Sequence, residues 1–374
     1  MNLSTATKWR IRLGAAAAVA AVAVLLLVPT PGGGADPDPA GSAGSAGSAT
    51  LAGLWPDARP MDLPATLPDG TTFTPVAVLD RTAVVVQIAD ADGSTASLAL
   101  LDPSDLAHPR PLQQIPIAGG GSFDAVAVEG DQVYWMSSVA DDQGGTRGTL
   151  LRAGRSGAPV TLTADTGHAT FSGSLYDLQV ADGRIWWTAT RGAYPPTTDL
   201  RSVPVGGGEV TVRPLDGTYH LAAWPWAGSD GIGGEPVRQL NLVTGERRTI
   251  AQPLGEELFC GVAWCRSVVR AADSAVVTLR RPDGTGTTGR INADGEVPLF
   301  VDVAALDRFE FLAAPISTRA ATASERLALF DLKTGRRAAL AVSTAEGLAG
   351  TWLWWATGDN ETMTWHLLDL ATLR

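Results

Sequence analysis

Cys260 and Cys265, in Phe259-Cys-Gly-Val-Ala-Trp-Cys-Arg266, are the only two cysteines in 374 residues. A close pair of thiols can close a disulfide loop, join a metal set or cycle as a redox dithiol. A metal set needs further ligands, yet His108, His168, His220 and His366 are scattered with no i, i+4 pair, so no metal site is expected. A redox pair wants tighter spacing in a thioredoxin-like βαβ setting, which the surrounding residues lack. A structural disulfide between Cys260 and Cys265 is the expectation.

Other patterns invite chemistry and then decline it. Gly284-Thr-Gly-Thr-Thr-Gly289 spells a dinucleotide fingerprint, but that motif needs a helix after it, and Arg290-Ile-Asn-Ala-Asp-Gly295 reads as strand and turn. Asp90-Ala-Asp-Gly93 has the start of a calcium loop, but Leu101 stands where the closing Glu would be, so a hairpin turn is expected. Thr357-Gly-Asp-Asn-Glu-Thr-Met-Thr-Trp365 approximates the Asp-box turn of sialidase-type propellers, with one residue inserted and Glu361 in place of glycine. There is no Walker loop and no Gly-x-Ser-x-Gly elbow. The 39 acids are spread too evenly for a general acid/base pair to be chosen. What remains is an aromatic group, Tyr219, His220, Trp224 and Trp226, interrupted by Pro225, which can cap a face or stack on a sugar or peptide.

Elements that could position such groups begin after an unusual leader. Lys8, Arg10 and Arg12 precede an uncharged run of sixteen residues, Leu13 to Val28, with no acid before residue 30. As a helix this run spans about 24 Å, short of the ~30 Å hydrocarbon core, so it serves either as a secretion signal or as an uncleaved anchor. The nearest small-residue cleavage site lies beyond two prolines, which favours a single-pass anchor with its positive flank in the cytoplasm. Residues 30–50, rich in Gly, Ser, Ala and Pro, read as a flexible linker. Either way residues 51–374 are expected outside the cytoplasm. The net charge of −11, less the three leader cations, leaves about −14 on the rest, which repels phosphate backbones and excludes a nucleic-acid binder.

The exported part reads as all-β. Ala83-Val-Val-Val-Gln-Ile88, Val133-Tyr-Trp-Met136, Ile185-Trp-Trp-Thr188 and Trp352-Leu-Trp-Trp355 are strand-like, and Asp-Gly pairs at 92, 182, 283 and 294 mark hairpins. A strand ending in a turn recurs with anchors at 102, 153, 204, 241, 280, 331 and 369, at intervals of 37 to 51 residues, the period of propeller blades. Val128-Glu-Gly-Asp-Gln-Val-Tyr-Trp135 and Val180-Ala-Asp-Gly-Arg-Ile-Trp-Trp187 repeat a second marker. The expectation is a seven-bladed β-propeller, with six left open by the short copies between 218 and 300. The last copy stops one strand short, so residues 51–63, centred on Leu54-Trp55-Pro56, are expected to close the ring. Tryptophans 135, 186, 187, 352, 354 and 355 are assigned to packing between blades.

At these turns the chain resembles the TolB-like and WD-repeat-like propellers of exported bacterial proteins, over residues 51–374. The resemblance implies fold rather than activity. Asp331 to Gly335 is also similar to the repeat turn of pyrroloquinoline-quinone dehydrogenases, but Arg336-Arg337-Ala338-Ala339-Leu340 follows where those repeats carry a docking tryptophan. No cofactor is therefore assigned. The reading is a non-catalytic, membrane-tethered module that binds an envelope protein or a glycan. The alternative is an extracellular enzyme, a glycoside hydrolase or lyase or a quinoprotein dehydrogenase.

Overall fold

Each of the seven anchors marks the end of the third strand of a separate antiparallel sheet: Thr95–Asp102, Thr146–Gly154, Thr197–Pro204, Val237–Asn241, Ala275–Arg280, Ser324–Asp331 and Thr364–Asp369. The structure, a computed structural model, describes residues 49–374 except 91, 118–119, 141–145, 193–195, 232–233, 271–273, 317–323 and 360–361. The leader and nearly all of the linker lie outside the described residues. Among the described residues no helix is long and apolar enough to cross a membrane.

The sheets form a seven-bladed β-propeller: blade 1 (73–116), blade 2 (122–163), blade 3 (168–215), blade 4 (220–250), blade 5 (257–280), blade 6 (297–343) and blade 7 (346–369 with 61–64). The first strands of neighbouring blades touch, those of blades 7, 1, 2 and 3 in sequence, which places them beside the axis. Alternation along each strand sends one set of side chains to each neighbouring blade, so the cores are wedges between blades. Trp135, Trp187, Trp352, Trp354 and Trp355 are buried in these wedges, as expected, whereas Trp186 is only half-buried.

Turn chemistry explains the hairpins. Asp182 and Gly183, at φ 52° and 70°, join Gln179–Ala181 to Arg184–Arg191 in the left-handed pair of conformations that suits strand twist. On blade 7 Gly347 lies opposite Trp354, whose indole would sit 2.4 Å from any Cβ there. The chain spells glycine because the indole takes that space.

Ring closure differs from the expectation in register. The fourth strand of blade 7 is Met61–Pro64, antiparallel to Thr364–Asp369, with Met61 opposite Leu367 and Leu63 opposite Trp365. Residues centred on Leu54-Trp55-Pro56 do not form it. Leu51–Leu54 is a helical turn capped by the Thr50 hydroxyl, and Trp55 is buried edge-on against Phe309 of blade 6. Trp55-Pro56 carried the β-like signal, but that indole fills a core wedge, while the alternation Met61, Leu63 buried and Asp62, Pro64 exposed makes the edge strand. The end of the expected linker is also structured: Ala49–Thr50 pairs in parallel with the outer strand of blade 6.

Blade 5 has three regular strands. Its fourth position is filled by an irregular segment in which the Thr288 hydroxyl and the Asn292 side-chain carbonyl accept from the Leu279 and Val277 amides, each at 2.9 Å. The Gly-Thr-Gly motif at 284–289 thus forms a turn, with Gly284 at φ 84°, and the return to the sheet. No helix follows it.

Candidate functional site

The axis of the ring is where seven first strands converge, and those of blades 2 and 7 are half-buried along nearly their whole length, as strands beside a solvent channel are. On blade 3 this strand is interrupted. Thr170 still bonds Thr188 and Gln179 already faces Trp186, so residues 171–178 leave the sheet as a loop. On blade 6 the same happens after Leu299, which bonds Phe311, and residues 300–304 bulge out before Ala305 bridges Phe309.

The two excursions meet. Ser174 Oγ donates to Asp302 at 2.7 Å and the Leu175 amide donates to its other oxygen at 2.7 Å. Blades 3 and 6 stand three places apart in a ring of seven, the greatest separation available, so the contact spans the axis as a strap. Leu175 packs against the apolar wedge containing Trp55 and Phe309, while the next residue, Tyr176, packs in the wedge of Leu200, Tyr219 and Leu240. Asp177 shapes the strap's turn by accepting from the amides of Ser172, Gly173 and Ser174. The loop on blade 6 is held by Arg266, which donates to the Val301 and Asp302 carbonyls and pairs with Glu310 at 2.5 Å; both partners are almost fully buried. The second Glu310 oxygen accepts from the Ala304 amide.

Burial dominates the electrostatics. It pushes the Asp302 carboxyl above its ordinary value, against the Leu175 amide, the Ser174 hydroxyl and the charges of Arg266 and His220. Burial likewise raises Asp177 against its ring of Ser172–Ser174 donors, and Asp124 against the Ser122 and Ser138 hydroxyls. Burial, with Asp302 and Asp307 nearby, pushes the Tyr176 phenol up to about 12. On blade 7 burial and the neighbouring Glu325 raise Glu346. These carboxylates are occupied as acceptors for the fold's own donors, Glu346 by the Ser343 hydroxyl.

The aromatic group read from the sequence is split. Tyr219 is buried in the wedge between blades 3 and 4, its amide bonded to the Thr198 hydroxyl. Trp226 is buried beneath the Arg248 guanidinium, 4.0 Å from the ring centre. His220, half-buried at the start of blade 4, is 3.7 Å from Asp230. Trp224 instead joins Trp186, its ring centre 4.5 Å away, a residue the sequence assigned to packing. Its indole N–H donates to Asp182 at 3.1 Å, and Gln179 clamps its backbone from blade 3. Half-buried Trp186, Trp224 and Arg184 therefore form one patch with the exposed Asp182 between the first hairpins of blades 3 and 4. Trp186 lies in the second strand of blade 3 and Trp224 in the first turn of blade 4, so no single sequence run links them.

The other candidates resolve locally. Cys260 and Cys265 are joined as a disulfide across a directly opposed pair that ends the first hairpin of blade 5. Asp90 and Asp92 accept from Thr95 and Ser94 within a hairpin turn. Asp331, fully buried, accepts from Arg308, the Lys333 amide and Thr334, which makes the Asp-x-x-Thr-Gly turn a structural one. Among the described residues no three His, Cys, Asp or Glu side chains gather as a metal set would.

No family model and no curated protein matches the chain. Among solved structures it is similar to an oligogalacturonate lyase in complex with manganese, at TM-score 0.51 and 11% identity over 85% of this chain and 98% of that one. It is also similar to an oligogalacturonate lyase from Vibrio parahaemolyticus, at 0.50 and 9% over 84% and 91%. A TolB structure from Agrobacterium tumefaciens aligns at 0.40 and 15% over 65% and 87%. At such identities the likeness is one of fold.

Proposed function

We propose that this chain is an extracytoplasmic propeller, tethered by a single N-terminal span, that acts as a non-catalytic binding or scaffold module for an envelope protein or a glycan. The observation that carries this reading is the strap. Asp302, Asp177 and Glu310 lie in or beside the two loops that meet across the axis, and each accepts from backbone or side-chain donors of the fold. Such groups hold a shape rather than move protons. The Trp186–Trp224 patch supports the same reading, because two half-buried indoles flanked by Asp182 and Arg184 combine apolar area with polar edges.

The test is a pull-down of the full-length chain from membranes, alongside a glycan array, for the native protein and for Trp224→Ala with Trp186→Ala. Retention of a specific partner that the double variant loses supports the reading. Binding on neither assay overturns it.

One observation favours a glycan-cleaving enzyme as a second reading. Glu346 is half-buried on the first strand of blade 7, and burial, with the charge of Glu325 adding to it, raises its carboxyl above its ordinary value against the Ser343 hydroxyl, which suits a general acid. New reducing ends or unsaturated products from a panel of neutral and acidic polysaccharides, lost in Glu346→Gln, would establish it. No product from any of them would remove it.

A further inference from the structure

The thinnest wedge in the ring lies between blades 4 and 5. Its buried cluster is Val237, Ile250, Leu258 and Cys265, the smallest of the apolar clusters among the described residues, and Cys265 is also half of the disulfide. Where so little apolar surface joins two blades, a covalent bridge carries a larger share of the local order. The hairpin closed by that bridge reaches to both sides. Toward blade 4, the Gly261 carbonyl accepts from the Gln239 side chain at 2.7 Å. Across its own turn, the Gly261 amide donates to the Trp264 carbonyl at 2.9 Å.

Toward blade 6, the same hairpin lies against the loop that makes half of the strap. A Cβ at Gly261 would stand 3.2 Å from the Val303 carbonyl oxygen, and Trp264 packs with Val303 in the wedge between blades 5 and 6. The residue after Cys265 is Arg266, whose terminal nitrogens donate to the Asp302 and Val301 carbonyls at 3.2 and 3.1 Å. Asp302 in turn accepts from Ser174 and Leu175 of blade 3. Bridge and strap are therefore joined by two routes, packing at Gly261 and Val303 and the fork of Arg266.

We propose that the Cys260–Cys265 bridge is a redox lock on the axial strap, set when the chain leaves the reducing cytoplasm. With both thiols free, the hairpin end and Arg266 gain freedom, and residues 300–304 release Ser174 and Leu175 more often. Setting the lock is thiol–disulfide exchange with an external disulfide donor. Cys260 is the attacking group, because it is partly exposed whereas Cys265 is fully buried. Its thiolate opens the donor's S–S bond, and the Cys265 thiolate then displaces the donor from the mixed disulfide. One S–S bond forms as one breaks, and the donor leaves as thiols carrying the two electrons and two protons. The proposal takes its oxidant from the extracytoplasmic placement and needs no binding partner.

The experiment follows hydrogen exchange of the full-length chain when oxidised, when reduced with a phosphine, and when reoxidised with glutathione disulfide, beside Cys260→Ser with Cys265→Ser. Expected is exchange about tenfold faster at 300–304 and 171–178 in the reduced protein and in the double variant. Glutathione disulfide should restore the slow rate in the native chain alone, and the Ala83–Ala89 strand of blade 1 should not change in any form. Faster exchange confined to 260–266 overturns the proposal, as does no change at the strap. Equal acceleration in Ala83–Ala89 overturns it too, because the bridge would then act through the stability of the whole ring. None of these readouts involves a partner, so failure here leaves the binding-module reading standing.

Discussion

Ser174 and Asp302 are separated by 128 positions in the chain and by three blades in the ring, and their side chains meet at 2.7 Å. A hydrogen bond to a buried carboxylate is worth more than one between neutral groups, and breaking it leaves the Leu175 amide without its acceptor. Asp302→Ala is expected to lower stability by about 1–3 kcal/mol. Hydrogen exchange should speed up selectively at 171–178. Unchanged protection there would show that the strap is held by Leu175 and Tyr176 packing alone.

Beneath the strap, Arg266 and Glu310 form a buried pair whose other atoms hold residues 301–304. Removing one partner strands the other charge away from water. Glu310→Ala should cost about 3–5 kcal/mol, whereas Arg266→Met with Glu310→Leu should cost clearly less, because no lone charge remains. Chemical denaturation of the three proteins measures the difference.

Stability should respond to pH in two opposite limbs. Asp124, Asp177, Asp302 and Glu346 titrate above their ordinary values of 3.8 and 4.5 when folded, so their ionisation opposes folding at neutral pH. Acidification from neutrality through those raised values relieves the cost and raises the melting temperature. Burial alone would raise Asp331 too, but the Arg308 fork, the Lys333 amide and Thr334 outweigh it and hold it below 3.8. Its contribution is present above 3.8 and is lost as pH falls through the depressed value. A melting profile that only declines below neutrality would contradict the first limb, and Asp331→Asn should flatten the second.

The Cys260–Cys265 bridge closes a very short loop, and the chain-entropy relation gives it about 2 kcal/mol. Its location in the thinnest wedge makes that contribution local. Reduction or the double serine variant should lower the melting temperature and increase protease cutting near 260–265 before the other blades. Simultaneous loss of all blades would indicate that this wedge governs the whole ring.

Truncation separates the closing strand from what precedes it. Deleting residues 1–48 should leave the melting temperature nearly unchanged, and deleting through 64 should abolish the cooperative transition, because Leu63 and Met61 would no longer cover Trp365 and Leu367. Equal stability of the two proteins would show that blade 7 stands on three strands.

What the sequence made legible follows from which interactions are local. The seven third strands were found because each ends in a turn whose residues bond within a few positions, as Asp331 does with Lys333 and Thr334. The hairpin disulfide was equally local. The strap was not legible, since Ser174 and Asp302 carry no pattern that links them across 128 positions. The aromatic group failed for a related reason: adjacency in the chain put Tyr219 and Trp226 with Trp224, but the hairpin turn carries Trp224 away from the buried Tyr219 and Trp226 to Trp186 of blade 3. The closing strand was centred too early: Trp55, at the middle of the expected strand, is a core residue, and Met61–Pro64 makes the pairing.

The joining of Met61–Pro64 to Thr364–Asp369 has a consequence for biogenesis. Trp365 bonds the Phe73 carbonyl and His366 bonds Asp62, links that reach back across some three hundred residues. Until Thr364–Asp369 is in place, Met61–Pro64 has no partner strand and the face of blade 1 lacks its cover, so ring closure comes late in folding by topology alone. Quality control that samples unsealed edges therefore has its longest opportunity at this step, and a chain cut before Thr364 should be cleared as fully as one lacking whole blades.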